Sequence, residues 1–121
     1  MRTSFEPANY VAGEFRNSDE TFAVINPANA QRLAVAPIAS EADVDDAVEA
    51  ARAAQRDWAA MPPIERAGYL VRLADKVRSN AHELADILVQ EQSKVRPLAE
   101  VEVNFTAEYL DYMAGWARRI E

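Results

Sequence analysis

Residues 98–121 read LAEVEVNFTAEYLDYMAGWARRIE, and the fold turns on which side of this segment is covered. Leu98, Val101, Phe105, Tyr109, Tyr112, Met113, Trp116 and Ile120 recur three and four residues apart, the spacing of one helix face. Val103, Ala107, Leu110 and Ala114 form a second apolar face of the same helix, which begins near Pro97. A helix apolar on two faces is covered on two sides. The aromatic stripe is expected to pack in the core, and the second face is expected to need a partner that the other residues do not supply. Arg118 and Arg119 suit a last turn, where cations meet the negative end of the helix dipole. No terminal Gly, Asn or Pro follows as an exit signal.

Working outward, 121 residues fit one domain able to bury roughly two-thirds of its unfolded surface. Hydrophobic residues at 50% and charged residues at 27% mark a globular rather than a disordered chain. A net charge of −7 argues against nucleic acid and against an anionic membrane as partners, since both need clustered Lys and Arg. With no cysteine, disulfides, thiolate metal sites and thiol catalysis are excluded on these residues. MRTSFEPANY lacks the apolar core of a signal peptide, and no run approaches the roughly 20 apolar residues of a membrane span. The expected compartment is the cytoplasm.

Residues 1–39 carry three of the six prolines and read as strands and turns, and residues 40–121 read as helices. After a tail (1–8), NYVAGEF (9–15) and TFAVIN (21–26) flank the polar RNSDE and suggest a hairpin. NPAN (26–29) has a turn signature, and RLAVAP (32–37) adds a third strand, giving a β-meander over 9–39. Ser40 with Asp43 makes a near capping box for a helix that carries Val44, Ala47, Val48, Ala51, Gln55 and Trp58. Pro63 opens the next helix, with Ala67, Leu70, Val71, Ala74 and Val77 as its stripe. SNAHE (79–83) breaks it, with Asn80 and Glu83 placed to cap a third helix, and EQSKVRP (91–97) leads to the fourth. The fold class is α+β: a short meander, then about four helices over 40–121.

No catalytic constellation stands out. Glu100 and Glu102 are two apart and do not share a helix face, while Glu108 and Asp111 read as solvated surface charge. His82 is the sole histidine and reads as a surface residue. Gly13, Gly68 and Gly115 are scattered, so no phosphate loop is present.

The order NYVAGEF, then FAVINPANAQRLAVAP, then the long helical run from SEADVDD to EQSK, resembles the amino-terminal region of NAD(P)-dependent aldehyde dehydrogenases. The final helix is most similar to the lactaldehyde and glycolaldehyde dehydrogenase subgroup, and the resemblance covers about residues 9–121. It implies an incomplete part of an α/β fold, the amino-terminal part of a Rossmann-like coenzyme-binding domain, with the rest of the enzyme chain as its partner. It implies oxidation of a small, hydroxylated aldehyde by a cysteine thiolate and a glutamate-assisted water, all downstream, in a homo-oligomer. NAD or NADP would serve the whole enzyme without being bound by this segment alone, and the segment itself would be inactive.

Two site assignments follow from the same resemblance. A monovalent cation would take the Val24 and Ile25 carbonyls and the Glu91 carboxylate, hard oxygen donors. Ser93 stands where the family usually has Gly in the adjoining turn. Asn104, Phe105 and Tyr109 would face the aldehyde entrance. On this reading Glu121 is expected to be a cut rather than an end. The alternatives are a free-standing helical protein-interaction module and an experimental fragment of a longer chain.

Overall fold

A computed structural model describes residues 7–119. The outer tail, Ile120 and Glu121 therefore lie outside the described residues. The chain divides into two compact units, residues 1–57 and 58–121, and each is described by itself.

The first unit holds two separate antiparallel hairpins rather than one meander. Strand β1 (Asn9–Val11) pairs with β2 (Glu14–Arg16), and β3 (Thr21–Asn26) pairs with β4 (Gln31–Pro37). RNSDE does not join paired strands, because Ala12-Gly13 already turns the chain back. Both turn residues have positive φ (54° and 90°), as a two-residue turn with the twist of its strands requires. Tyr10 and Phe15 face each other across this hairpin with ring centroids 5.0 Å apart. In the second hairpin Asn26 Oδ1 accepts the Ala28 N–H at 2.9 Å, Asn26 O accepts the Ala30 N–H at 2.8 Å, and Asn29 Oδ1 accepts the Gln31 N–H at 3.0 Å. The NPAN turn is thus closed by its own asparagines. The register slips between Val24 and Ile25, which pair with Ala34 and Arg32.

Helix α1 (Glu41–Ala60) starts at the expected box. Ser40 donates from Oγ and from its backbone N–H to Asp43 Oδ2 (2.7 and 3.0 Å), and the Asp43 N–H donates to Ser40 Oγ at 3.2 Å. Arg16 of β2 adds ion pairs to Asp46 at 2.7 Å and Asp43 at 3.6 Å. Hydrogen bonds from Ser40, reinforced by Arg16, hold the Asp43 carboxyl below its ordinary range. The Val44 and Val48 stripe remains exposed, and α1 has no buried residue.

The second unit contains α2 (Pro63–Ser79), α3 (Ala81–Gln92), α4 (Arg96–Gly115) and a short 3₁₀ turn at Trp116–Arg118. Asn80 separates α2 from α3 as expected, but it caps the end of α2 instead of the start of α3: its Nδ2 donates to Lys76 O at 2.7 Å. Ser93 ends α3 at φ 54°, the left-handed conformation that favours glycine. Helix α4 packs chiefly on α2 and α3. Ala67 and Ala74 of α2, Ala85 of α3, and Ala99, Val103, Ala107 and Ala114 of α4 are buried.

Two measurements check this account. Ser93→Gly removes the left-handed penalty and should stabilise the chain by about 0.5–1 kcal/mol in thermal melting. Because the Asp43 pKa is depressed on folding, its contribution is present above the ordinary carboxylate range near pH ~4 and lost as pH falls through the lower folded value. Far-ultraviolet circular dichroism should show less acid loss of helix in Asp43→Asn than in the parent chain.

Candidate functional site

The buried side of α4 is the face formed by Val103, Ala107, Leu110 and Ala114, which reverses the expectation for this helix. Ala107 is fully buried and Val103 is 5% exposed, whereas Phe105 on the aromatic stripe is 62% exposed. Leu110 is half-buried. The physical reason is distance. Alanines let the axes of α2 and α4 approach closely, and the tyrosines and Phe105 are too large for that gap. Ile120, the stripe's last member, lies outside the described residues.

The outward face is consequently a row of rings. Phe105 and Tyr109 stack with centroids 6.3 Å apart, and Tyr109 and Tyr112 do so at 6.2 Å. Tyr112 meets Trp116 edge-on at 5.9 Å. Leu98 and Val101 extend the same exposed face towards the start of the helix. Of the residues expected at an aldehyde entrance, Phe105 and Tyr109 are brought together. Asn104 is exposed and lies about 100° round the helix from Phe105, so it flanks the row. The rings offer apolar faces to a small molecule, and the phenols of Tyr109 and Tyr112 offer hydrogen bonds to a hydroxyl or carbonyl. The row carries no thiol, carboxylate or imidazole.

A second feature lies where α2 meets the end of α4. Trp58, Pro63, Arg66, Leu70, Met113 and Trp116 line an open cleft of about 350 Å³. Trp58 and Tyr69 pack edge-on at 5.3 Å, with the Arg72 guanidinium 4.3 Å from the Tyr69 ring centre. Arg66 Nη1 donates to the carbonyls of Trp58 and Ala59 in the last turn of α1, which has no basic residue of its own, and to that of Met61 just beyond it.

Val24 and Ile25 flank the register slip in the first unit, and Glu91 is an exposed residue of α3 in the second. Neither unit holds all three. Among the described residues no group of three His, Cys, Asp or Glu side chains is placed to hold a metal. His82 is exposed, with Asp86 3.6 Å away. Glu100 and Glu102 are solvent-facing ion-pair partners of Arg96 and Lys94.

Tyr112 and Trp116 were visible in the helical spacing but were expected in the core. The ion pair between Arg78 of α2 and Asp111 of α4 had no local signal, because its partners are 33 residues apart. A hydrogen bond to Asp111 holds the Arg78 guanidinium above its ordinary pKa, and Asp75 adds a 3.4 Å contact on the same helix.

The family model described as "Aldehyde dehydrogenase family" matches residues 15–121, and the chain belongs to that family. Lactaldehyde dehydrogenase of Escherichia coli (strain K12) is 42% identical over 114 residues, 93% of this chain and 24% of the relative. A 3,6-anhydro-alpha-L-galactose dehydrogenase of Streptomyces coelicolor is 41% identical over 108 residues, 88% of this chain and 22% of the relative. The crystal structure of lactaldehyde dehydrogenase from Escherichia coli matches with a TM-score of 0.92 and 41% identity, covering 96% of this chain and 25% of that one. An NAD-dependent benzaldehyde dehydrogenase from Corynebacterium glutamicum matches with a TM-score of 0.89 and 30% identity, covering 94% and 26%. The chain thus spans about a quarter of the length of these relatives.

The two faces of α4 predict opposite mutational behaviour. Ala107→Leu overpacks the α2 contact and should cost about 1–3 kcal/mol. Phe105→Ala on the exposed row should stay within about 0.5 kcal/mol in chemical denaturation of the same chain.

Proposed function

We propose that this chain is the amino-terminal segment of an NAD(P)-dependent aldehyde dehydrogenase that oxidises a small, hydroxylated aldehyde to its acid. The observation that carries the reading is the match of nearly the whole chain to lactaldehyde dehydrogenase, with a TM-score of 0.92 at 41% identity. Both units are assigned to the coenzyme-binding domain, and the rest of the chain is their partner. The segment supplies no cysteine nucleophile. Its residues also do not fit the coenzyme: Gly13 lies in a turn, Gly68 within α2 and Gly115 at the end of α4, so no glycine-rich cradle for phosphates is present. Nucleophile and coenzyme site are therefore assigned to the rest of the enzyme, a cytoplasmic homo-oligomer on this reading.

Within that enzyme the contribution of this segment is a wall of the aldehyde path, formed by Phe105 and Tyr109 with Tyr112 beside them and Asn104 at the flank. Rings of this kind exclude water from the body of the substrate while a phenol orients its hydroxyl. The Val24 and Ile25 carbonyls are assigned as oxygen donors to a structural monovalent cation. The strand irregularity supports this, since a bulge frees ladder groups and carbonyl oxygens suit a hard cation.

The complete enzyme should reduce NAD or NADP when given lactaldehyde or glycolaldehyde, and no turnover with any small aldehyde would overturn the assignment. Tyr109→Ala should raise the aldehyde KM about tenfold and leave the coenzyme KM unchanged. For the cation, thermal melting of the complete enzyme should be higher in potassium or sodium than in choline salts.

A further inference from the structure

We infer that Arg78 is a positioning residue: its ion pair with Asp111 fixes the rotation of α4 against α2 and so aims Tyr109 and Tyr112. The inference rests on the reading of α4 as a wall of the aldehyde path. Helices α2 and α4 run antiparallel, because Ala67 lines a cleft with Ala114 while Val77 lines another with Val103. Their contact is built from Ala67 and Ala74 on one side and Val103, Ala107 and Ala114 on the other. No buried residue among those described is larger than valine. Val77, Leu84, Leu88 and Val89 pack on the cluster of Ala85, Ala99 and Val103 and key the first half of α4 by shape; towards Ala107 and Ala114 the alanine surfaces present low ridges and shallow grooves, and rotation there is weakly keyed.

That rotation matters for the opposite face. At the outer helix radius of about 5–6 Å, a turn of about 20° displaces a side chain by about 2 Å. A shift of this size is enough to spoil substrate orientation. Among the described residues, the Arg78–Asp111 pair is the ion pair that ties α2 to α4. At the opposite end of α4, the Arg96–Glu100 and Lys94–Glu102 pairs tether its first turns to themselves and to the connection from α3, and Arg96 also pairs with Asp86 of α3, so these ties act far from the rings. Asp75, one turn earlier on α2, holds the guanidinium from its own side. Asp111 precedes Tyr112 directly and follows Tyr109 by two positions, so the tie acts at the level of the rings. Both partners are partly exposed, and such a pair adds little to folding stability. It is strong enough to bias a soft rotation, and it is accordingly expected to influence substrate binding more than folding.

The test uses the complete enzyme with lactaldehyde and its coenzyme. Arg78→Leu, which keeps bulk and removes charge, and Asp111→Asn should each raise the aldehyde KM about three- to tenfold. In both, kcat should stay within about twofold and the coenzyme KM should not move. Arg78→Lys keeps the charge opposite Asp111, each carboxylate being met by one nitrogen, and should return the aldehyde KM to within about twofold of the parent. An unchanged KM in Arg78→Leu overturns the inference. So does a joint fall of kcat and melting temperature that Arg78→Lys does not rescue, since that is the mark of a merely structural role. Tyr109→Ala separates the two levels. If it raises the aldehyde KM and Arg78→Leu does not, the positioning role falls and the wall stands. If it leaves the KM unchanged, both fall.

Discussion

The close approach of α2 and α4 across alanine is the constraint on which the second unit depends. A helix pair that meets through Ala67, Ala74, Ala107 and Ala114 leaves no room for a ring or a leucine between the axes. Leu110 on that face is only half-buried, and the other large apolar residues of α4 sit half-way round or on the far side. The helix that looks richest in core material therefore turns most of it outward. Burying alanine also removes little apolar area per residue, at roughly 25 cal/mol for each Å². A unit made this way gains modest hydrophobic stabilisation from its own contacts. Its exposed stripe of Leu98, Val101, Phe105, Tyr109 and Tyr112 is a continuous apolar face left outside those contacts.

Backbone chemistry at the joints supports the same economy. Among the described residues, three other than glycine hold positive φ: Ala12 and Ala30 in the hairpin turns and Ser93 at the end of α3. Each is strained by about 1 kcal/mol relative to glycine and persists because the flanking elements leave no other path. Where helices begin or end, side chains satisfy the free backbone groups: Ser40 and Asp43 at the start of α1, Arg66 at its end, Asn80 at the end of α2. The Arg66 guanidinium supplies the positive charge that the last turn of α1 lacks.

Much of the fold was legible because its signals are local. Ser40 and Asp43, Pro63, the SNAHE break and the start near Pro97 place the starts of four helices within a residue or two of those observed, whereas α4 ends at Gly115 and Arg118 falls in the 3₁₀ turn beyond it. Strand pairing was less legible. A two-residue turn at Ala12-Gly13 uses alanine where asparagine would announce it, so β2 was merged into the strand before it and the hairpins were read as one meander. The orientation of α4 was also misread, for a different reason. Periodicity reports that two faces are apolar without saying which is covered, and the rule that large apolar residues go inside favours the wrong one. What decides is the size of the facing residues on α2, a non-local fact. The row of Phe105 and Tyr109 was legible as a face, whereas its alignment by Arg78 was invisible at a separation of 33 residues.

The cleft between α2 and the end of α4 has a spectroscopic consequence. The chain contains two tryptophans, Trp58 and Trp116, and both line that one cleft. Intrinsic indole emission therefore reports on a single corner of the second unit. It is silent on the hairpins, whose aromatic pair is Tyr10 and Phe15. Indole colour and quenching thus register entry of water into this cleft, or its closure by other parts of the protein, before helix content changes.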